Sequence, residues 1–160
     1  MIENWKDTAF GSDFGGDFLE LIEEIAEKEI TLEVIYQHTD LKKYIDKPDL
    51  LEIRNDNNVW FPNSDFEQYI HFEDAIIALS AIIVESKLNN GKVDLRKAYG
   101  NKVIVFKSTK AGTKPIHEAL QNIYKYPEKF VLFEMCLAEE KEETLEDIKD
   151  ILVEFGKILI

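Results

Sequence analysis

One stretch limits the architecture more than any other. Phe72, Ala75, Ile76, Leu79, Ile82 and Ile83 recur at the i, i+3, i+4, i+7 spacing of a helix, and few charges fall across Ala75–Val84. A helix that is apolar on more than one side has to be enclosed by other elements. This segment is therefore expected to run through the core and to stop at Asn89-Asn90-Gly91.

Other segments carry weaker versions of the same signal. Asp13 is a candidate N-cap, followed by a stripe of Phe14, Phe18, Leu21, Ile22 and Ile25, with Glu20, Glu23, Glu24 and Glu27 facing the other way. Ile116, Ala119, Leu120, Ile123 and Tyr124 form a stripe after a turn at Ala111-Gly112-Thr113, with Pro115 suited to the first helical position and Pro127 as a stop. Thr144-Leu145-Glu146-Asp147 reads as a capping box before the stripe Leu145, Ile148, Leu152, Phe155 and Leu159. Ile30–Tyr44 fits a strand or a helix, as do Lys102–Lys107, rich in strand formers, and the apolar run Phe130–Leu137. These signals predict one mainly α-helical domain over 1–160, with a small β-sheet drawn from 31–61 and 102–107. The alternative is an α+β domain in which Leu32–Tyr36, Leu50–Ile53, Val59–Phe61 and Val103–Phe106 pair.

Charge is distributed unevenly. The formal net charge is −13. Residues 1–30 hold nine acids and two lysines, and 134–150 hold eight acids and two lysines, while 31–133 balances at 14 of each sign. Within that neutral middle, 92–114 carries seven bases against Asp94 alone. An acidic surface repels a phosphate backbone, which argues against nucleic acid as a partner. It attracts and steers a basic protein. No apolar run is long enough to span a bilayer, and no signal peptide is recognisable. Cys136 is the only cysteine, so an internal disulfide is excluded and a reducing cytoplasm is the expected setting.

The search for chemistry returns little. There is no GxSxG, HExxH or Walker-type loop. Gly11-Ser12-Asp13-Phe14-Gly15-Gly16 lacks the lysine of a phosphate loop and sits among acids. Asp13 and Asp17 share a helix face but lack the further oxygens a hard cation needs. His38, His71 and His117 are not spaced as a metal site, although His71-Phe72-Glu73-Asp74 offers ligand types. No base activates Cys136. No catalytic residue, cofactor or metal is therefore expected. Trp5 and Trp60 suit either the core or an interface, and Trp60-Phe61-Pro62 lies beside a turn.

Trp5, Phe10, Asp13, Asp17 and Phe18-Leu19 spell W-x4-F-x2-D-x3-D-[FW]-L, which resembles the opening of the bacterial family of unknown function numbered 4259. Glu73-Asp74-Ala75, Glu118-Ala119-Leu120 and Leu132-Phe133-Glu134 are similar to later segments of that family, whereas Lys6 stands where the family has Gly and 92–114 resembles an addition. That resemblance implies a mostly helical fold and no active site. A looser likeness in size, acidity and lack of catalytic motifs is to immunity proteins, which sit beside secreted toxins of contact-dependent inhibition and related polymorphic systems and block them.

The expected function is accordingly that of a cytoplasmic immunity protein that neutralises a cognate basic toxin domain such as a nuclease, without binding nucleic acid or membrane. The expected contacts are Glu20, Glu23, Glu24 and Glu27 with Glu139, Glu140, Glu142, Glu143 and Asp147, and Trp60. The alternatives are a non-catalytic scaffold or regulatory protein, and a metal-dependent enzyme using Asp13 and Asp17.

Overall fold

Every residue from Phe72 to Ser86 is buried in helix α4 (Phe72–Leu88), so the segment predicted to be central is central. The computed structural model describes residues 13–53, 55, 57–61, 68–134 and 137–159. Among them the protein is mainly α-helical with a small β component. The expected stop after α4 forms as a Schellman turn: Asn90 and Gly91 take the left-handed conformation (φ 55° and 90°), and the Gly91 N–H donates to Ser86 O at 2.6 Å.

Around α4 the chain runs through α1 (Asp13–Ile25), β1 (Glu29–Thr31), α2 (Leu32–His38), α3 (Lys42–Asp46), β2 (Asn58–Phe61) and β3 (Gln68–His71) before it. After it come β4 (Lys92–Asp94), β5 (Val103–Lys107), α5 (Lys110–Lys125), the single-turn α6 (Val131–Glu134) and α7 (Ala138–Ile158). Helices α4, α5 and α7 pack on one another, and α1 packs on α4, α2 and β3. Phe18 and Ile22 of α1 and Ile148, Ile151 and Phe155 of α7 are fully buried. Each such side chain contributes about 1.5–3 kcal/mol of hydrophobic stabilisation.

Two small sheets flank this core. In one, β5 lies between β1, parallel to it, and β4, antiparallel, with Ile30 opposite Phe106 and Val93 opposite Ile104. These four side chains are buried, while Glu29, Lys92, Val103 and Lys107 alternate outward. The other is the hairpin β2–β3, in which Val59 faces Ile70 and Trp60 faces Tyr69.

The ambiguous segments resolve into short pieces. Ile30–Tyr44 is strand, then helix: the Thr31 hydroxyl accepts the Val34 N–H at 3.3 Å and starts α2 where a strand over Leu32–Tyr36 was the alternative. Leu50–Ile53 is not a strand. Lys102–Lys107 contributes β5, and Phe130–Leu137 contributes α6.

Two helices begin earlier than their sequence signals. The Thr109 hydroxyl caps α5 by accepting the Gly112 N–H at 3.0 Å, so Ala111-Gly112-Thr113 lies in the helix rather than in a turn before it. Pro115 then sits inside the helix, forgoing one backbone hydrogen bond. Helix α7 starts at Ala138, and Thr144 is interior rather than a cap. Glu139 and Glu140 in its first turn complement the helix dipole and support the earlier start.

Candidate functional site

The two acidic blocks form exposed faces on separate elements. On α1, Phe18, Leu19, Leu21 and Ile22 turn inward, and Glu20, Glu24 and Glu27 are exposed. Glu23 is half-buried and structurally engaged. Its Oε2 accepts the Asn101 N–H at 2.6 Å, and its carbonyl, with that of Ala26, accepts Lys102 Nζ at 2.6 and 3.2 Å. A lysine on the last carbonyls of α1 also complements the helix dipole. These partners lie nearly eighty residues away in sequence, so the helical pattern alone placed Glu23 with the solvent-facing acids.

On α7, Glu139, Glu140, Glu142, Glu143 and Glu146 are exposed and Asp147 is half-buried. Glu139, Glu142, Glu143, Glu146 and Asp147 line one open depression. Their spacing puts them on a single helical stripe. Both acidic helices rest on α4; α7 packs on α5, and α1 packs on the hairpin.

Trp60 and Tyr69 occupy directly opposed positions on the hairpin, with ring centroids 5.2 Å apart and planes tilted by 51°. They are 37% and 38% exposed, whereas Val59 and Ile70 on the other face are fully buried. The outer edge of β2 is tied down. The Trp60 N–H donates to Asp40 Oδ1 at 2.7 Å, and the Tyr44 hydroxyl donates to Asn58 O at 3.2 Å. Sequence reasoning singled out Trp60 but not Tyr69, because a four-residue strand is too short to show a period.

Where the hairpin meets α4, three ionisable side chains are enclosed. His71, Glu73 and Asp74 are 5%, 1% and 6% exposed. Glu73 Oε2 accepts the Leu132 N–H of α6 at 3.3 Å. His71 Nδ1 lies 3.6 Å from Asp74 Oδ2, too far for a hydrogen bond. Burial, and after it the Glu73 carboxylate, push the Asp74 carboxyl up to about 8. Both carboxyls are thereby screened from solvent.

No group of three or more His, Cys, Asp or Glu among the described residues is arranged to hold a metal ion. His38 Nδ1 is 2.9 Å from Val34 O within its own helix. The His117 ring packs 4.9 Å from that of Phe155, and burial lowers its pKa. Trp5, Phe10, Cys136 and the side chain of Asp13 lie outside the described residues. Asp17 is half-buried at the start of α1. Two surface cavities among the described residues bear on catalysis. One, of about 500 Å³, mixes Lys92, Arg96 and Lys97 with Glu85 and Asp94, and another, of about 340 Å³, lies between Ile53 and Tyr126. Neither gathers a nucleophile, a base and an oxyanion donor.

A surface rich in charge and aromatic rings with no catalytic constellation suits a binding protein, and comparison with known families agrees. Residues 1–155 match the model of the family described as immunity protein 68. The chain belongs to that family. Its description differs from family 4259, which the opening resembles, and agrees with the looser likeness to immunity proteins. No curated protein and no solved structure matches the chain. Immunity-protein families, such as that of this immunity protein 68 member, are generally non-catalytic. None of its described helices is long and apolar enough to cross a membrane.

Proposed function

We propose that this immunity protein acts in the cytoplasm as one folded unit, by binding and occluding the toxin domain of a contact-dependent or related polymorphic system, and that this domain is basic, as a nuclease is. The observation that carries the charge of the partner is the acidic stripe of α7. Like charges three and four residues apart destabilise a helix by about 0.2–0.5 kcal/mol per pair. Glu139, Glu142, Glu143, Glu146 and Asp147 hold several such pairs on one solvent-facing side. A stripe that works against its own helix is explained by a cationic surface that it meets. Glu140 lies beside the stripe, while Glu20, Glu24 and Glu27 of α1 form a second exposed acidic set on another element.

The test is to purify the product of the gene adjacent to this one and measure its association at several salt concentrations. Association should slow as salt rises, because the screening length falls to about 8 Å at 0.15 M. Reversing Glu139, Glu140, Glu142 and Glu143 to Lys should slow association more than it speeds dissociation. A reversed variant that binds and protects cells as well as wild type would reduce the acids to a solvated face. A wild-type protein that binds no such toxin would favour the scaffold reading.

A further inference from the structure

We propose that the outer face of the β2–β3 hairpin, centred on Trp60 and Tyr69, is where the cationic partner docks, with arginine or lysine side chains of that partner stacked on the two rings. The class of partner rests on the immunity reading above; the place, and the chemistry of contact, are added here.

The rings are presented as a pair by directly opposed strand positions, and more than a third of each is exposed. Tryptophan and tyrosine, with arginine, dominate the energetics of protein interfaces. The strands beneath them are held from several sides. Val59 and Ile70 anchor the inner face, the Phe72 N–H donates to Asn57 O at 2.7 Å where the hairpin enters α4, and Asp40 and Tyr44 hold the edge of β2. A partner therefore meets rings whose backbone is already ordered, which lowers the entropic cost of binding.

Charge selects the kind of partner. The face of an aromatic ring is electronegative and attracts a guanidinium or ammonium group. The helix beside the hairpin is α1, which packs on β3 and turns Glu20, Glu24 and Glu27 to solvent. Beside the rings Lys43 is already neutralised by Asp40 at 3.0 Å, so the aromatic faces, the acids of α1 and the net charge of −13 act in the same sense, drawing cations and rejecting acidic surfaces. A second copy of this chain fits poorly, because two copies of net charge −13 repel each other.

The experiment uses the purified product of the adjacent gene, taken as the toxin domain under the immunity reading. Trp60→Ala and Tyr69→Ala should each weaken binding at least about 30-fold, mainly through faster dissociation. Trp60→Arg and Tyr69→Lys, which set a cation against a cation, should weaken it further, and Trp60→Phe should retain most of it. A measurement on the wild-type surface accompanies the variants: in a Trp5→Phe background, acrylamide quenching of Trp60 fluorescence should fall when the toxin domain is added. Unchanged quenching in a formed complex, or wild-type affinity in alanine variants that melt like wild type, overturns the proposal and leaves the immunity reading standing. Conversion of a free dimer to a monomer by the same substitutions overturns it in favour of self-association. Failure of the wild-type protein to bind the toxin domain overturns the immunity reading and this proposal with it.

Discussion

Replacing Asp74 by Asn should change how stability depends on pH. Asp74 begins near the ordinary value of 3.8 and is raised to about 8 in the fold, by burial first and the Glu73 carboxylate second. An acid raised in the folded state binds more protons there than in the unfolded chain. It therefore leaves stability untouched below about pH 4, costs progressively more between pH 4 and 8, and costs its full amount above 8. At 1.36 kcal/mol per unit the full penalty is about 6 kcal/mol, with about 4 kcal/mol already present at pH 7. Both are ceilings, because relaxation and water penetration relieve a buried charge. Even half of the full value is a large part of the 5–15 kcal/mol that holds a typical domain together. Asn keeps the shape of the side chain and has no proton to lose. Urea unfolding at pH 5, 7 and 9, followed by circular dichroism, should show wild type losing about 2–4 kcal/mol relative to Asp74→Asn across that range. Subtracting one profile from the other removes the shared groups that do not interact with Asp74, leaving Asp74 together with its coupling to Glu73. Parallel profiles would refute the reasoning and place Asp74 in a polar setting that the His71–Asp74 distance does not suggest.

Three further outcomes follow from the geometry. Gly100→Ala should destabilise by about 1–3 kcal/mol, read as a lower denaturation midpoint, because the added Cβ would stand 2.9 Å from Leu95 and 3.0 Å from Glu23 Oε1. Lys102→Ala should cost about 1 kcal/mol by the same measurement, since it removes the donor to Glu23 O and Ala26 O at a site open to solvent. Glu142→Gln with Glu143→Gln should stabilise the isolated protein by about 1 kcal/mol, seen as a higher Tm, because it removes like-charge pairs beyond the first turn of α7.

The parts of the fold that were legible in the sequence are those long enough to repeat a period. Helix α4 and the stripes of α1, α5 and α7 each run for several turns, so the 3.6-residue spacing shows through. Strands β1 and β4 have three residues, and β2 and β3 have four, which is too few for a two-residue alternation to stand out. The parallel pairing of β1 with β5 joins positions such as Ile30 and Phe106 that no local pattern connects. The same distance hides side-chain roles. Glu23 reads as a solvated acid until Asn101 and Lys102 are brought to it, and Glu73, which the sequence offered only as a ligand type, accepts the Leu132 N–H of α6. Helix starts were misplaced because cap residues are common. Thr109 and Thr144 both carry capping chemistry, and only the packing of α5 and α7 decides that one is used and the other passed through.

The charge asymmetry also divides in a way that composition does not reveal. Part of it is consumed within the fold. Lys102 closes the end of α1, Lys107 pairs with Glu29 at 3.0 Å, and Arg96 pairs with Asp94 at 2.9 Å, so much of the basic stretch 92–114 neutralises its own neighbourhood or that of α1. The stripe of α7 belongs to another part of the molecule, on a helix whose packing partners are α4 and α5 rather than the basic strands. Its first-turn acids help the helix begin, but Glu142, Glu143, Glu146 and Asp147 lie beyond the reach of that benefit. Substitution by Gln would lower the repulsion without altering the buried side of α7, where Ile148, Ile151 and Phe155 hold it in place. A cost so easily removed without touching the core is consistent with the association surface proposed above, since function commonly opposes stability.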